Sequence, residues 1–253
     1  MTKDKIKFNE KNHTYSINGK YLTSVTTAIN TIFPPFDAKG IARKIAKGFK
    51  YRTRQKELQG EKVDDETKAK GTMRFWLAKW KESAHHGTRV HKAVEEFINI
   101  GDPAMILDKY CPKELDKVKF GAFLSWYQAN PILAGATLLP EMIVYSGKQG
   151  YAGMLDLVVM QEDGTMHIFD WKTNEKLISP QPCMLEKPFE HLDDSKMCRY
   201  SLQLSFYKYL MELSGKKVGN LILVHLTPEG VKEYKCEYLK DDVKKLIEVC
   251  KNE

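Results

Sequence analysis

The sequence predicts a mixed α/β fold: a central mixed sheet flanked by helices, with an N-terminal hairpin and a helical elaboration. Three observations carry that expectation. Apolar spacing is helical over residues 85–100 and 113–128, changes to that of strands after Pro131, and is helical again from Tyr200. Three β-rich runs, residues 137–145, 151–160 and 166–171, are separated by Ser146-Gly147-Lys148-Gln149-Gly150 and Glu162-Asp163-Gly164, which is the turn chemistry of an antiparallel meander. A helix then stands between that meander and two further strands, so a crossover is needed and helices must cover both faces of the sheet.

Each element has its local reason. Residues 6–8 and 14–17 form a hairpin with strand character beyond it at Tyr21-Leu22, turned at Asn18-Gly19. Ser24 caps a short helix over residues 26–32, which Pro34-Pro35 ends. Residues 39–81 read as helices broken around residues 60–65. Residues 85–100 carry Val90, Ala93, Val94, Phe97 and Ile98 on one side, with Gly101 beyond the end. Residues 113–128 form another helix, stopped by Asn130-Pro131. A helix over 200–213 ends at Gly215, strands 221–226 and 231–238 join at Pro228-Glu229-Gly230, and residues 241–249 close the chain as a helix. With no repeat, no low-complexity tract and no Gly/Ser linker, a single domain over 1–253 is expected, divided into 1–83 (hairpin and basic helices) and 84–253 (core).

Composition narrows the class. Hydrophobic residues at 42% and charged residues at 29% exclude a disordered or fibrous chain. Five dispersed cysteines without a C-x-x-C pair argue for free thiols rather than disulfides or zinc. No apolar run approaches membrane-spanning length and Met1-Thr2-Lys3-Asp4-Lys5 leads into no apolar h-region, so no membrane partner and a cytoplasmic location, in a bacterial or phage-infected cell, are expected. Residues 38–81 hold fourteen Lys or Arg against five acids, a local +9 in a chain of net +7. Such concentration suits a polyanion. Phe49, Tyr51, Phe75, Trp76 and Trp80 interleave with those charges, and two readings stand: a single-strand channel of phosphate-tracking cations and base-stacking rings, or a solvated face over core aromatics.

The chemistry concentrates between residues 141 and 172. Asp156 interrupts an apolar strand, where an unpaired carboxylate costs several kcal/mol. Asp170 and Lys172, two apart, project from one face of the next strand while Trp171 points away. Glu141, after Pro140, opens the first strand of the meander and reaches the same place. Three carboxylates and an ammonium at one sheet edge suit a hard divalent cation such as Mg²⁺. His85 and His86 have no further ligands at zinc spacing.

Gly153-x-x-Asp156 followed by Asp170-Trp171-Lys172-Thr173 resembles the PD-(D/E)XK nuclease superfamily, with Leu155 where its proline would stand. Gln203-x-x-x-Tyr207 and Gly87-Thr88-x-x-His91, with Glu95 a turn later, resemble the RecB-type branch. The run from His13-Thr14-Tyr15 to Ser24-Val25-Thr26 is similar to phage and mitochondrial genome maintenance exonucleases. The resemblance spans about residues 8–226. It implies a restriction-endonuclease-like core and a DNA exonuclease dependent on Mg²⁺ or Mn²⁺, acting on single-stranded or processed ends in replication, recombination or repair. A flap or junction endonuclease of the same fold, or a catalytically dead partner of a recombination protein, are the alternatives. The resemblance places Asp156, Asp170, the Trp171 carbonyl, Glu141 and His91 around the metal, with Lys172 on the attacking water and Gln203 and Tyr207 on the phosphate or on Lys172. DNA contacts are expected from Arg52, Arg54, Lys56, Arg74, Trp76, Trp80, Arg89 and Thr173. A recombinase or single-strand annealing protein is a further expected partner. Cys236 and Cys250 are too sparse for the iron-sulfur cluster some relatives carry, so none is expected.

Overall fold

A computed structural model describes residues 6–178 and 183–251, so Met1 to Lys5, on which the reading of the N-terminus rests, lie outside the described residues. The chain divides into two compact units, Met1–Pro34 with Arg89–Glu253, and Pro35–Thr88.

The first unit is a mixed sheet with helices on both faces. β1 (Ile6–Asn9), β2 (Thr14–Ile17) and β3 (Lys20–Ser24) form antiparallel pairs. Asn18 (φ 50°) and Gly19 (φ 80°) supply the two positive φ angles that a tight turn of matching twist requires. α1 (Val25–Asn30) follows, its Ser24 cap accepting the Thr27 N–H at 3.0 Å. After the helices described below come β4 (Thr137–Ser146), β5 (Tyr151–Met160) and β6 (Met166–Lys172), the meander; then β7 (Val218–Thr227) and β8 (Gly230–Lys235). The strands run β1-β2-β3-β5-β6-β7-β8, with β4 on the other edge of β5. β3–β5 and β6–β7 are parallel, the rest antiparallel, as a crossover helix demands. The hairpin, grouped by sequence with the basic helices, thus belongs to the same sheet as the meander, because Thr23 and Ser24 pair with Tyr151 and Ala152.

Numbered along the chain, the other helices are α2 (Ala38–Leu58), α3 (Asp65–Lys70), α4 (Met73–Ile100), α5 (Pro103–Tyr110), α6 (Glu114–Ala129), α7 (Lys196–Leu213) and α8 (Lys240–Val249). Alternation along each strand builds two cores. Ile168 and Leu223 pack with Val25 and Ile29 of α1, Leu202, Phe206 and Leu210 of α7, and Leu246 of α8. Phe169, Trp171 and Val224 pack with Val90 and Val94 of α4, Ile106 of α5, and Phe120 and Phe123 of α6.

β5 is shared on one edge by two strands. Its start pairs with β3 at Tyr151 and Ala152, and from Leu157 onward it pairs with β6. Between them, residues 153–156 face a fork in the sheet.

The second unit contains α2, α3 and the first part of α4. Asp37 caps α2 through the Gly40 N–H at 2.8 Å, and Asp64 caps α3 through the Thr67 N–H at 2.7 Å. Its rings cluster: Phe36 lies 5.1 Å from Trp80, Phe49 5.6 Å and Phe75 5.3 Å from Trp76, and Trp76 6.4 Å from Trp80.

Two elements depart from expectation. α4 begins at Met73 rather than near residue 85, since nothing before Gly87 breaks its periodicity and packing overrides that glycine. α5 has no counterpart among the expected helices: eight residues give too few turns for a periodic signal, although Asp102 as cap and Pro103 in the first turn mark its start. Among the described residues no helix is long and apolar enough to cross a membrane.

Candidate active site

The fork gathers the chemistry that the sequence singled out. The registers on both sides of β5 keep one phase up to the site, Pro140↔Leu157 and Met142↔Leu155 on one side and Leu157↔Phe169 on the other, while Glu141, Asp156 and Asp170 themselves drop out of β5's ladders. Glu141, Asp156 and Asp170 therefore stand abreast on three adjacent strands. Glu141 has φ 50°, in the left-handed region that costs a side-chain-bearing residue on the order of 1 kcal/mol or more. That distortion falls at the member of the row that opens β4's approach to the site.

Asp156 is held by the Trp171 backbone N–H, which donates to Oδ2 at 2.9 Å in place of a ladder bond, and by His91 Nδ1 at 3.3 Å. Burial pushes the Asp156 carboxyl up, but His91, Lys172 and the Trp171 N–H outweigh it and keep it below the usual carboxylate range. Burial likewise opposes charge on His91, and the Asp156 carboxylate reverses this, raising it. Lys172 Nζ lies against Asp170 Oδ2 and 4.2 Å over the Tyr200 ring. That ammonium, disfavoured by burial, is held charged by Asp170 and Asp156. Asp170, 4% exposed, is raised by burial, with Lys172 opposing and Asp156 adding to the shift. Its Oδ2 takes no aligned hydrogen bond from any described residue.

Glu141 is raised to about 7, first by burial and then by repulsion from Asp156 and Glu95. Glu95 is bridged to Lys92 at 2.8 Å. On α7, Gln203 Nε2 donates to the Tyr207 hydroxyl at 2.8 Å, leaving the phenol proton to donate elsewhere. Burial raises Tyr207, so it stays protonated. Gly153 makes room for it: a Cβ there would overlap the Tyr207 ring.

A cavity of about 480 Å³ opens on Glu141 and Asp156 but not on Asp170 or Lys172, and is lined also by Gly153, Gln203 and Tyr207. The hairpin and α1 supply the other wall, with Asn12, His13, Tyr15, Ser24, Thr26 and Thr27. The residue set has the oxygen donors that a hard cation takes. Yet among the described residues no three His, Cys, Asp or Glu side chains stand together in an arrangement that could hold a metal ion. Asp156 is engaged by His91, and Asp170 by Lys172.

Other predicted residues have different surroundings. Arg89 forms a bidentate pair with the fully buried Asp116, at 2.7 and 3.1 Å, which ties α4 to α6. The Thr173 carbonyl accepts Lys119 Nζ at 2.6 Å. In the second unit Trp76 and Trp80 sit in the ring cluster, and Trp76 Nε1 donates to the Lys70 carbonyl at 2.9 Å. Arg52 lies 4.5 Å over the Phe49 ring and Lys56 is 3.7 Å from Glu61. Arg54 and Arg74 are exposed.

Sequence reasoning missed Tyr200, whose hydroxyl donates to Asn174 Oδ1 at 3.0 Å while its ring supports Lys172. Its spacing held the signal, since 200, 203 and 207 share one helix face. The cavity wall from the hairpin was marked only by the resemblance of the run from His13 to Thr26 to known exonucleases, and the β3–β5 pairing helps to place it at the site.

No known protein family matches the chain by sequence, and no curated protein matches it. Solved structures similar to it include the crystal structure of SSO0001, 17% identical, with 70% of this chain covered, 66% of the other (just under two thirds of its length) and a TM-score of 0.31. A second is a provisionally named exonuclease from Eubacterium rectale, 10% identical, with 86% and 82% of the two chains covered and a TM-score of 0.44.

Proposed function

We propose that the chain is a metal-dependent deoxyribonuclease of the PD-(D/E)XK type, an exonuclease that hydrolyses phosphodiester bonds at DNA ends. The observation that carries this reading is the row Glu141, Asp156, Asp170 across three strands, with Lys172 against Asp170. On this reading Glu141, Asp156, Asp170 and the Trp171 carbonyl would be the oxygen donors for Mg²⁺ or Mn²⁺, with Asp156 and Asp170 released from His91 and Lys172. The chemistry such an ion supplies when bound is a more acidic water and neutralised charge on the phosphate. Lys172, braced by Asp170 and the Tyr200 ring, is the cation that holds a water or a phosphate oxygen at the row. Tyr207, its oxygen occupied by Gln203, keeps a proton to donate to a phosphate oxygen. His91 orients Asp156.

Exonuclease action follows from the resemblance of the motifs and is tested directly. Linear and circular single-stranded DNA are incubated with the protein in Mg²⁺ and in EDTA. Degradation of linear DNA alone, abolished by EDTA, is the expected result. Cutting of circles would make the protein an endonuclease, and cutting of neither would make it a DNA-binding protein, such as a partner of a recombinase or annealing protein.

A further inference from the structure

α2 lies wholly within the second unit, and its 21 residues carry a single acid, Glu57 in the last turn. At 100° per residue its side chains sort into three arcs. Ala42, Ala46 and Thr53 are buried on one arc, with Phe49 half-buried beside them. Arg52 and Lys56 fall on a second, where Arg52 lies over the Phe49 ring and Lys56 is paired with Glu61. Lys39, Arg43, Lys47, Lys50 and Arg54 fall on a third arc and all five are exposed; Glu57 closes that arc one turn past Arg54, and Lys44 lies beside it. Successive members are four, four, three and four residues apart, which places them about 4.5 to 6 Å apart along the axis, over about 22 Å. Tyr51, 66% exposed, borders the same stripe.

We propose that this stripe is a track for single-stranded DNA, in which Lys39, Arg43, Lys47, Lys50 and Arg54 follow the phosphates and Tyr51 stacks on a base. Charge complementarity identifies a polyanion. The narrow single row, about 22 Å long with one exposed ring at its border, favours one flexible strand, because a stacking ring needs an unpaired base. The structure thereby moves the stacking role from Trp76 and Trp80, which pack with Phe49, Phe75 and each other, to Tyr51. It also separates Arg54 from Arg52 and Lys56, which share the helix and not the stripe. The inference deepens the nuclease reading but is independent of cleavage, since binding is measured without metal.

The test is fluorescence anisotropy of the full chain with a labelled single-stranded oligonucleotide in EDTA, across a salt series. Removing one cation that neutralises a phosphate flattens the slope of log affinity against log salt by about 0.7. Arg43→Ala with Arg54→Ala should therefore flatten the slope by about 1.4, while Arg52→Ala with Lys56→Ala, removing equal charge from the same helix, should leave it unchanged. Tyr51→Ala should weaken binding at least about five-fold at every salt concentration, and Tyr51→Phe should restore it. All these side chains are exposed, so unchanged thermal melting confirms that each variant folds. Equal flattening by both double variants, an unchanged slope in the stripe variant, or wild-type affinity in Tyr51→Ala would overturn the proposal. So would tighter binding to duplex than to single strand. If the wild-type chain binds single strands through the stripe but cleaves nothing in Mg²⁺ or Mn²⁺, the nuclease reading fails and this inference stands.

Discussion

Two residues in the site are arranged against the stability of the chain. Glu141 combines a left-handed φ of 50° with a carboxyl raised to about 7 by burial and by its acidic neighbours. Its charge is therefore disfavoured in the folded state between the ordinary carboxylate value, 4.5, and about 7, and the folded state is weakened as pH rises through that window. Glu141→Gln should stabilise the metal-free protein by roughly 1 to 3 kcal/mol at pH 8, and the gain should vanish as pH falls toward 4, where both forms are neutral. Thermal melts of the two proteins at pH 8 and pH 4 measure this; an equal or lower melting temperature for the variant at pH 8 would show that the carboxylate is better solvated than its position indicates. Gly153 is constrained in a different way, because any Cβ meets Tyr207. Gly153→Ala should cost about 1 to 3 kcal/mol by overpacking. The additional substitution Tyr207→Ala should bring much less further loss than it causes alone, and additive losses in chemical denaturation would mean that the two do not press on each other.

At the scale of elements, the strands that carry the site were legible because each was a β-rich run bounded by turn residues. The charged interruptions at Asp156, Asp170 and Lys172 marked which of them mattered. What could not be read was juxtaposition. The hairpin residues were singled out by resemblance, but their place against the site rests on a two-residue parallel pairing of β3 with β5, a long-range pairing that local pattern does not show. The same limit applies to Arg89, which beside His91 in a basic chain suggested a DNA contact. Instead its guanidinium meets Asp116, a fully buried carboxylate on α6 that also receives the Lys113 N–H at 3.3 Å. Lys119 had a readable signal, a cation beside Phe120 and Phe123 on the face that also carries Asp116, and it holds the Thr173 carbonyl just beyond Lys172. Arg89→Met should deprive the buried Asp116 of its guanidinium partner and lower stability by ~3 to 5 kcal/mol, without changing the salt slope of DNA binding. Denaturant melts and binding titrations check both; a stable variant with a flatter slope would return Arg89 to the DNA path.

At the scale of the whole molecule, charge and chemistry occupy different compact units. The carboxylate row, Lys172, Gln203 and Tyr207 belong to the sheet unit, and the concentrated positive charge belongs to the helical one. Substitutions in the first should alter the rate of bond cleavage, and substitutions in the second the salt dependence of binding. The central claim is that the row across β4, β5 and β6 hydrolyses DNA. Its most direct test compares wild-type chain with Asp170→Asn on an end-labelled linear strand in Mg²⁺ and in EDTA, with binding measured in parallel in EDTA. Cleavage by the wild type in Mg²⁺ alone, slowed at least ~10³-fold in Asp170→Asn at unchanged DNA affinity, is the result the account predicts; wild-type rates in Asp170→Asn, or undiminished cleavage in EDTA, would contradict it.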